Sequence, residues 1–141
     1  MMYYLSIGLT IVSNLLYHLF QKSTPSNVSP LASLAVSYAI ALFLCLVSLA
    51  FFAKGNVVET FKELNWTSYA LGFAILGIEL GWLLAYRAGW NISIGSTFSN
   101  VAVGLLLLPI GLVFMKETIT VPNIAGLLFC AVGLFLISLR G

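Results

Sequence analysis

Charge is what this chain has least of. Asp, Glu, Lys and Arg make up only 7% of its 141 residues, against roughly 25% in a soluble domain. Aspartate is absent altogether, and Glu59, Glu63, Glu79 and Glu117 are the whole acidic complement. The formal net charge of +2 is too small to leave a nucleic-acid footprint. There is a single histidine, His18, whereas zinc takes at least three protein ligands, so no metal centre is expected and no cofactor. Cys45 and Cys130 both fall inside apolar runs and read as small packing residues, not as a disulfide or a metal pair. No apolar run holds an acid pair, and neither cysteine stands beside a base. Enzyme chemistry is therefore not expected.

What the chain has in excess is hydrocarbon. Residues of hydrophobic type reach 61%, and the mean hydropathy is +1.09. Five runs approach or exceed the ~20 residues needed to cross ~30 Å of bilayer core: Met2–Phe20, Pro30–Ala53, Trp66–Tyr86, Ser93–Phe114 and Val121–Leu139. The fold predicted is all-α, a polytopic membrane helix bundle of five transmembrane helices in one domain, residues 1–141. No cleavable signal is expected, because the N-terminus lacks a basic region and its first run is long enough to span. The connections Gln21–Ser29, Lys54–Asn65, Ala88–Ile92 and Met115–Thr120 are short, and Pro122 falls in the first turn of the last helix.

One stretch stands apart, Gly77-Ile78-Glu79-Leu80-Gly81-Trp82-Leu83-Leu84-Ala85-Tyr86. Glu79 is the only Asp, Glu, His, Lys or Arg between Trp66 and Tyr86. An acid in the bilayer core costs about 3 kcal/mol on insertion scales, so such a residue is a functional hypothesis by default. At 100° per residue, Ile75, Glu79, Trp82 and Tyr86 share one helix face. A carboxylate flanked by an indole and a phenol suits an organic cation, held by charge and by ring faces. The competing reading is a buried acid that bonds a neighbouring helix and fixes packing.

The first helix carries a polar stripe of Ser6, Thr10, Ser13, Tyr17 and Gln21, with Asn14 at its edge. Polar side chains in a span face protein or water, so the stripe lines either a cavity or a helix seam. His18 lies further round, as a proton-relay partner for Glu79 or as an ordinary hydrogen-bonded histidine. The second span is the blandest and reads as peripheral packing. In the fourth, Ser93, Ser96, Thr97, Asn100, Gly104 and Gly111 share a face, and Pro109 predicts a kink. Gly126 and Gly133 in the fifth predict a close-packed seam within a bundle or a dimer.

The C-terminal half has a recognisable pattern. Tyr86-Arg87-Ala88-Gly89 leads into a polar-then-apolar helix, and Phe114-Met115-Lys116-Glu117-Thr118-Ile119-Thr120-Val121-Pro122 forms a corner. The run Gly126-Leu127-Leu128-Phe129-Cys130-Ala131-Val132-Gly133-Leu134-Phe135-Leu136-Ile137 closes the pattern. Over about Gly72–Ile137 this resembles the drug/metabolite transporter superfamily, in particular its EamA-type members, and more weakly over Met1–Lys22. It is also similar to the small multidrug resistance proteins. The resemblance implies one half of a ten-helix transporter fold, with Glu117 as a structural corner acid. The small multidrug resistance proteins carry a membrane glutamate in their first helix; here that helix offers Asn14, and the candidate acid is Glu79 in the third span.

The expected function is a half-size secondary transporter, acting as a dimer, that moves a small organic solute across the cell (plasma) membrane by alternating access. The solute is a cationic drug or a metabolite. Its site would draw on Glu79, Trp82, Tyr86, Asn14, Tyr17, Ser96, Thr97 and Asn100, with Glu79 and His18 coupling transport to protons. The alternative is an accessory subunit of a heteromeric transporter or a lipid-carrier flippase, paired with a similar half-size protein. With five spans, Lys54, Lys62 and Lys116 fall on one side and Lys22, Arg87 and Arg140 on the other. Three against three leaves the positive-inside rule without a bias, so insertion in both orientations and an antiparallel homodimer are expected.

Overall fold

A computed structural model describes residues 2–52, 56–116 and 118–139. Among these the chain is helical and contains no strand. The helices are α1 (Met2–Ser23), α2 (Pro30–Phe52), α3 (Val57–Lys62), α4 (Trp66–Arg87), α5 (Ile92–Val113) and α6 (Val121–Ser138). Glu117, Lys54 and Arg140, which entered the corner and the charge count above, lie outside the described residues.

Four helices, α1, α2, α4 and α5, are long and apolar enough to cross a membrane. Within α6 the apolar stretch Val121–Ile137 is shorter, and its 17 residues lie at the low end of the spanning range. The chain is thus a helical membrane protein with four to five spans. Its surface agrees with that: Phe51, Phe73, Phe129 and Val113 are each largely exposed, an arrangement that suits hydrocarbon and not water.

Local chemistry sets the helix ends. Asn65 caps α4 by accepting from the Thr67 amide at 2.9 Å and from the Thr67 hydroxyl. Gly89, just past the Ala88 cap, takes φ +102°, a left-handed stop that glycine adopts without steric cost. The charged connection before α4, expected as a loop, holds a short helix. In α3, Asn56 accepts from the Val58 amide, Glu59 sits in the first turn and Lys62 in the last; both charges oppose the helix dipole. Pro109 lies within α5, which continues as one helix to Val113.

The chain divides into two compact units, residues 1–88 and residues 89–141. In the first, α4 packs against both α1 and α2. Residue numbers rise together along the α1–α4 seam, from Leu9 and Ile75 to Lys22 and Tyr86, so these two helices run parallel. The buried centre of this unit is Leu34 of α2, His18 of α1, and Leu83 and Tyr86 of α4. Thus α2, read above as peripheral packing, contributes to the core through Leu34. In the second unit α5 packs on α6, and Trp90 lies against Phe98 with ring centroids 5.8 Å apart.

Candidate functional site

The α1–α4 seam carries two adjoining clusters, one polar and one aromatic. In the polar cluster the Gln21 amide Nε2 donates to Glu79 Oε2 at 2.7 Å and to the Tyr17 hydroxyl at 3.3 Å. One amide nitrogen on α1 therefore joins a phenol of its own helix to the carboxyl group of α4. The helical spacing from Tyr17 to Gln21 makes this possible, because residues four apart stack on one face and long side chains lean toward the N-terminus.

Glu79 opens onto a groove of about 570 Å³ lined by Leu9, Thr10, Ser13, Asn14 and Tyr17 of α1 and by Ile75, Ile78 and Glu79 of α4. The α1 wall is mostly polar and the α4 wall mostly hydrocarbon. Among the described residues no Lys, Arg or His lines it, and Glu79 is the ionisable carboxyl group there. Glu79 is eight residues from Arg87 and thirteen from Trp66. At 1.5 Å per residue that is about 12 Å and about 20 Å from the helix ends, so Glu79 sits about 4 Å from mid-span, displaced toward the Lys22–Arg87 end.

The aromatic cluster centres on His18, which is 5% exposed. Its Nδ1 lies 2.9 Å from the Tyr86 hydroxyl. The Trp82 ring meets the imidazole edge-on at 4.5 Å, and Trp82 stacks on Tyr86 at 5.3 Å. Tyr17 lies edge-on to the imidazole at 5.1 Å, so His18 and Tyr17 link the two clusters. At the end of the seam, Lys22 Nζ donates to the Tyr86 carbonyl at 3.4 Å and lies 5.5 Å from the Tyr86 ring centre. Arg87 donates through one terminal nitrogen to the Val28 and Pro25 carbonyls at 2.6 and 3.3 Å. It fastens the α1–α2 turn to the end of α4.

The predicted residues therefore fall into groups. Asn14, Tyr17 and Glu79 meet in the groove. Trp82 and Tyr86 are on the predicted face, but they are engaged with His18 and do not belong to the groove lining. His18 takes Tyr86 as its hydrogen-bond partner, while Glu79 takes Gln21. Ser96, Thr97 and Asn100 belong to the second unit; there the Ser96 hydroxyl bonds back to the Ile92 carbonyl at 2.6 Å, and Thr97 and Asn100 are exposed. Gly126 lines a second groove of about 530 Å³, with Gly104, Leu107, Asn123 and Cys130 among its other residues. A methyl group added at Gly104, Gly126 or Gly133 would meet nothing within 4 Å. Close approach of α6 to α5 is thus not what those glycines serve.

Two participants escaped the sequence reading as site residues. Gln21 was visible only as the last member of the α1 stripe, and its carboxylate partner is 58 positions away. Tyr38 on α2 has a buried hydroxyl with no hydrogen-bond partner among the described residues, within electrostatic range of Glu79 and Tyr17. Its signal was faint: a lone phenol in the most apolar span. No family model, curated protein or solved structure matches this chain.

Proposed function

We propose that this chain is a half-size secondary transporter of the drug/metabolite transporter type, working as a dimer and moving a small organic solute by alternating access. The observation that carries the reading is Glu79, an intramembrane carboxyl group that opens onto the 570 Å³ α1–α4 groove. Membrane acids facing a cavity mark ion and substrate pathways. A groove with one acid, no base, one polar wall and one apolar wall favours an amphiphilic organic cation over an anion or a sugar. Glu79 exchanges a proton for that cation, since one carboxylate in a low-dielectric site cannot favourably hold both charges or neither. Five spans in one orientation do not make a two-sided pathway, whereas two copies of opposite orientation do. The even split of Lys and Arg across the spans supports such a pair, in the cell membrane.

Glu79→Gln keeps the shape and most of the hydrogen bonding and removes the titration. In reconstituted vesicles under an imposed pH gradient, the variant is expected to lose proton-driven uptake of organic amines while inserting and folding as the parent does. Transport equal to the parent's, with the same pH dependence, would overturn the reading and leave Glu79 as a packing acid.

A further inference from the structure

A hydroxyl group buried without a partner forfeits its hydrogen bonds to water and gains none in return, so native structures rarely keep one. Tyr38 Oη is in that condition. It is not a generic gap in a polar helix. The other polar groups at this end of α2 are Ser33 and Ser37, and the Ser37 hydroxyl donates to the Ser33 carbonyl at 3.1 Å. Beyond Tyr38 the helix is apolar except for Cys45 and Ser48. Nor is Tyr38 remote from the chemistry, because α2 packs on α4 and the phenol lies within electrostatic range of Glu79 and Tyr17. Three helices therefore carry polar groups within electrostatic range of one another: Tyr17 and Gln21 from α1, Glu79 from α4, Tyr38 from α2. The first three are joined by hydrogen bonds and the fourth is left over.

We infer that Tyr38 is a specificity-determining residue of the Glu79 site, whose hydroxyl donates a hydrogen bond to an oxygen acceptor on the bound organic cation. This rests on the transporter reading above and narrows it. The ligand class becomes an ammonium that also carries a hydroxyl, ether or carbonyl oxygen a few ångströms from its nitrogen. Its nitrogen sits on Glu79 and its oxygen faces Tyr38. Tyr38 is not among the described residues that line the α1–α4 groove, whose α4 wall includes Glu79. The hydrogen bond that Tyr38 lacks is made only in the ligand-bound form. A site built to hydrogen-bond a polar group rejects the analogue that lacks it, since the protein donor is left buried and unpaired.

The test compares ethanolammonium with n-propylammonium, matched in charge and close in size, by calorimetric titration of the parent, Tyr38→Phe and Glu79→Gln proteins in lipid nanodiscs. The parent is expected to prefer ethanolammonium by roughly tenfold, about one hydrogen bond to a buried donor. Tyr38→Phe should bind n-propylammonium as the parent does and lose the preference. Glu79→Gln should lose both ligands. Thermal melting separates this from a structural role: removing a hydroxyl that has no partner leaves the ligand-free melting temperature unchanged or raises it. A preference that survives in Tyr38→Phe, or a lowered ligand-free melting temperature, overturns the inference while leaving the Glu79 reading intact. Equal binding of both amines by Glu79→Gln and parent, or binding of neither amine by the parent, overturns both.

Discussion

The two compact units are built from the same material and use it differently. In the first, polar side chains reach across helices: Gln21 to Glu79, His18 to Tyr86, Lys22 to the Tyr86 carbonyl and Arg87 to the α1–α2 turn. In the second, Ser96 bonds back to the Ile92 and Ser93 carbonyls of its own helix α5. In lipid there is little hydrophobic force between helices, so seams are held by van der Waals packing and interhelical hydrogen bonds. The first unit uses both. In the second, α5 packs on α6 and glycines have open space beside them. Cross-helix polar contacts give the first unit one preferred register, which a binding site needs.

The largest effect expected from breaking this contrast is at Leu83, 1% exposed at the centre of the first unit. Leu83→Ala leaves a cavity between α4 and its neighbours, with an expected loss of about 2–3 kcal/mol. The same change at Leu106, 69% exposed on α5, should cost under about 0.5 kcal/mol. Reversible unfolding in mixed micelles measures both, and equal losses would erase the distinction. Next comes Gly133→Leu. Nothing in the chain obstructs a side chain there, so stability should change little, whereas the disulfide-crosslinked dimer fraction in membranes should fall roughly tenfold if α6 packs closely on another copy. An unchanged dimer fraction would move the seam off α6. The smallest effect is at Lys116, a non-glycine residue at φ +54° between α5 and α6. Lys116→Gly relieves a conformation that L-residues adopt at a cost, and should stabilise the second unit by up to about 1 kcal/mol. Destabilisation on melting would mean that the lysine side chain contributes more than its backbone costs.

Much of this was legible from composition and spacing. Long apolar runs must be helices in lipid, since no water satisfies an open backbone there. The lone carboxyl group at Glu79, the α1 stripe and the shared face of Glu79, Trp82 and Tyr86 follow from residue type and the 3.6-residue period. That period assigns residues to faces of one helix and says nothing of which helix lies opposite, or at what height. Hence the choice for His18, relay partner of Glu79 or ordinary hydrogen-bonded histidine, is open from spacing alone; the fold bonds His18 to Tyr86 and gives Glu79 to Gln21, one turn further along α1. Hence also Trp82 and Tyr86 were expected around a ligand, while the fold closes them on an imidazole. The short capped α3 was missed because six residues are too few to show a period, and its capping asparagine has the same residue type as a loop asparagine.

The amino-acid sequence by itself determined the solvent, the helices and the face on which each polar group stands, because hydropathy, capping and helical period are properties of one segment at a time. Only the tertiary structure decided the partners: that α4 lies between α1 and α2, that Gln21 bridges Tyr17 to Glu79, and that Tyr38 brings an unpaired hydroxyl within electrostatic range of Glu79. Partnership depends on how parallel helices slide and turn against each other. That is set by the summed packing of many small contacts, each about 0.1–0.2 kcal/mol, which no single segment encodes.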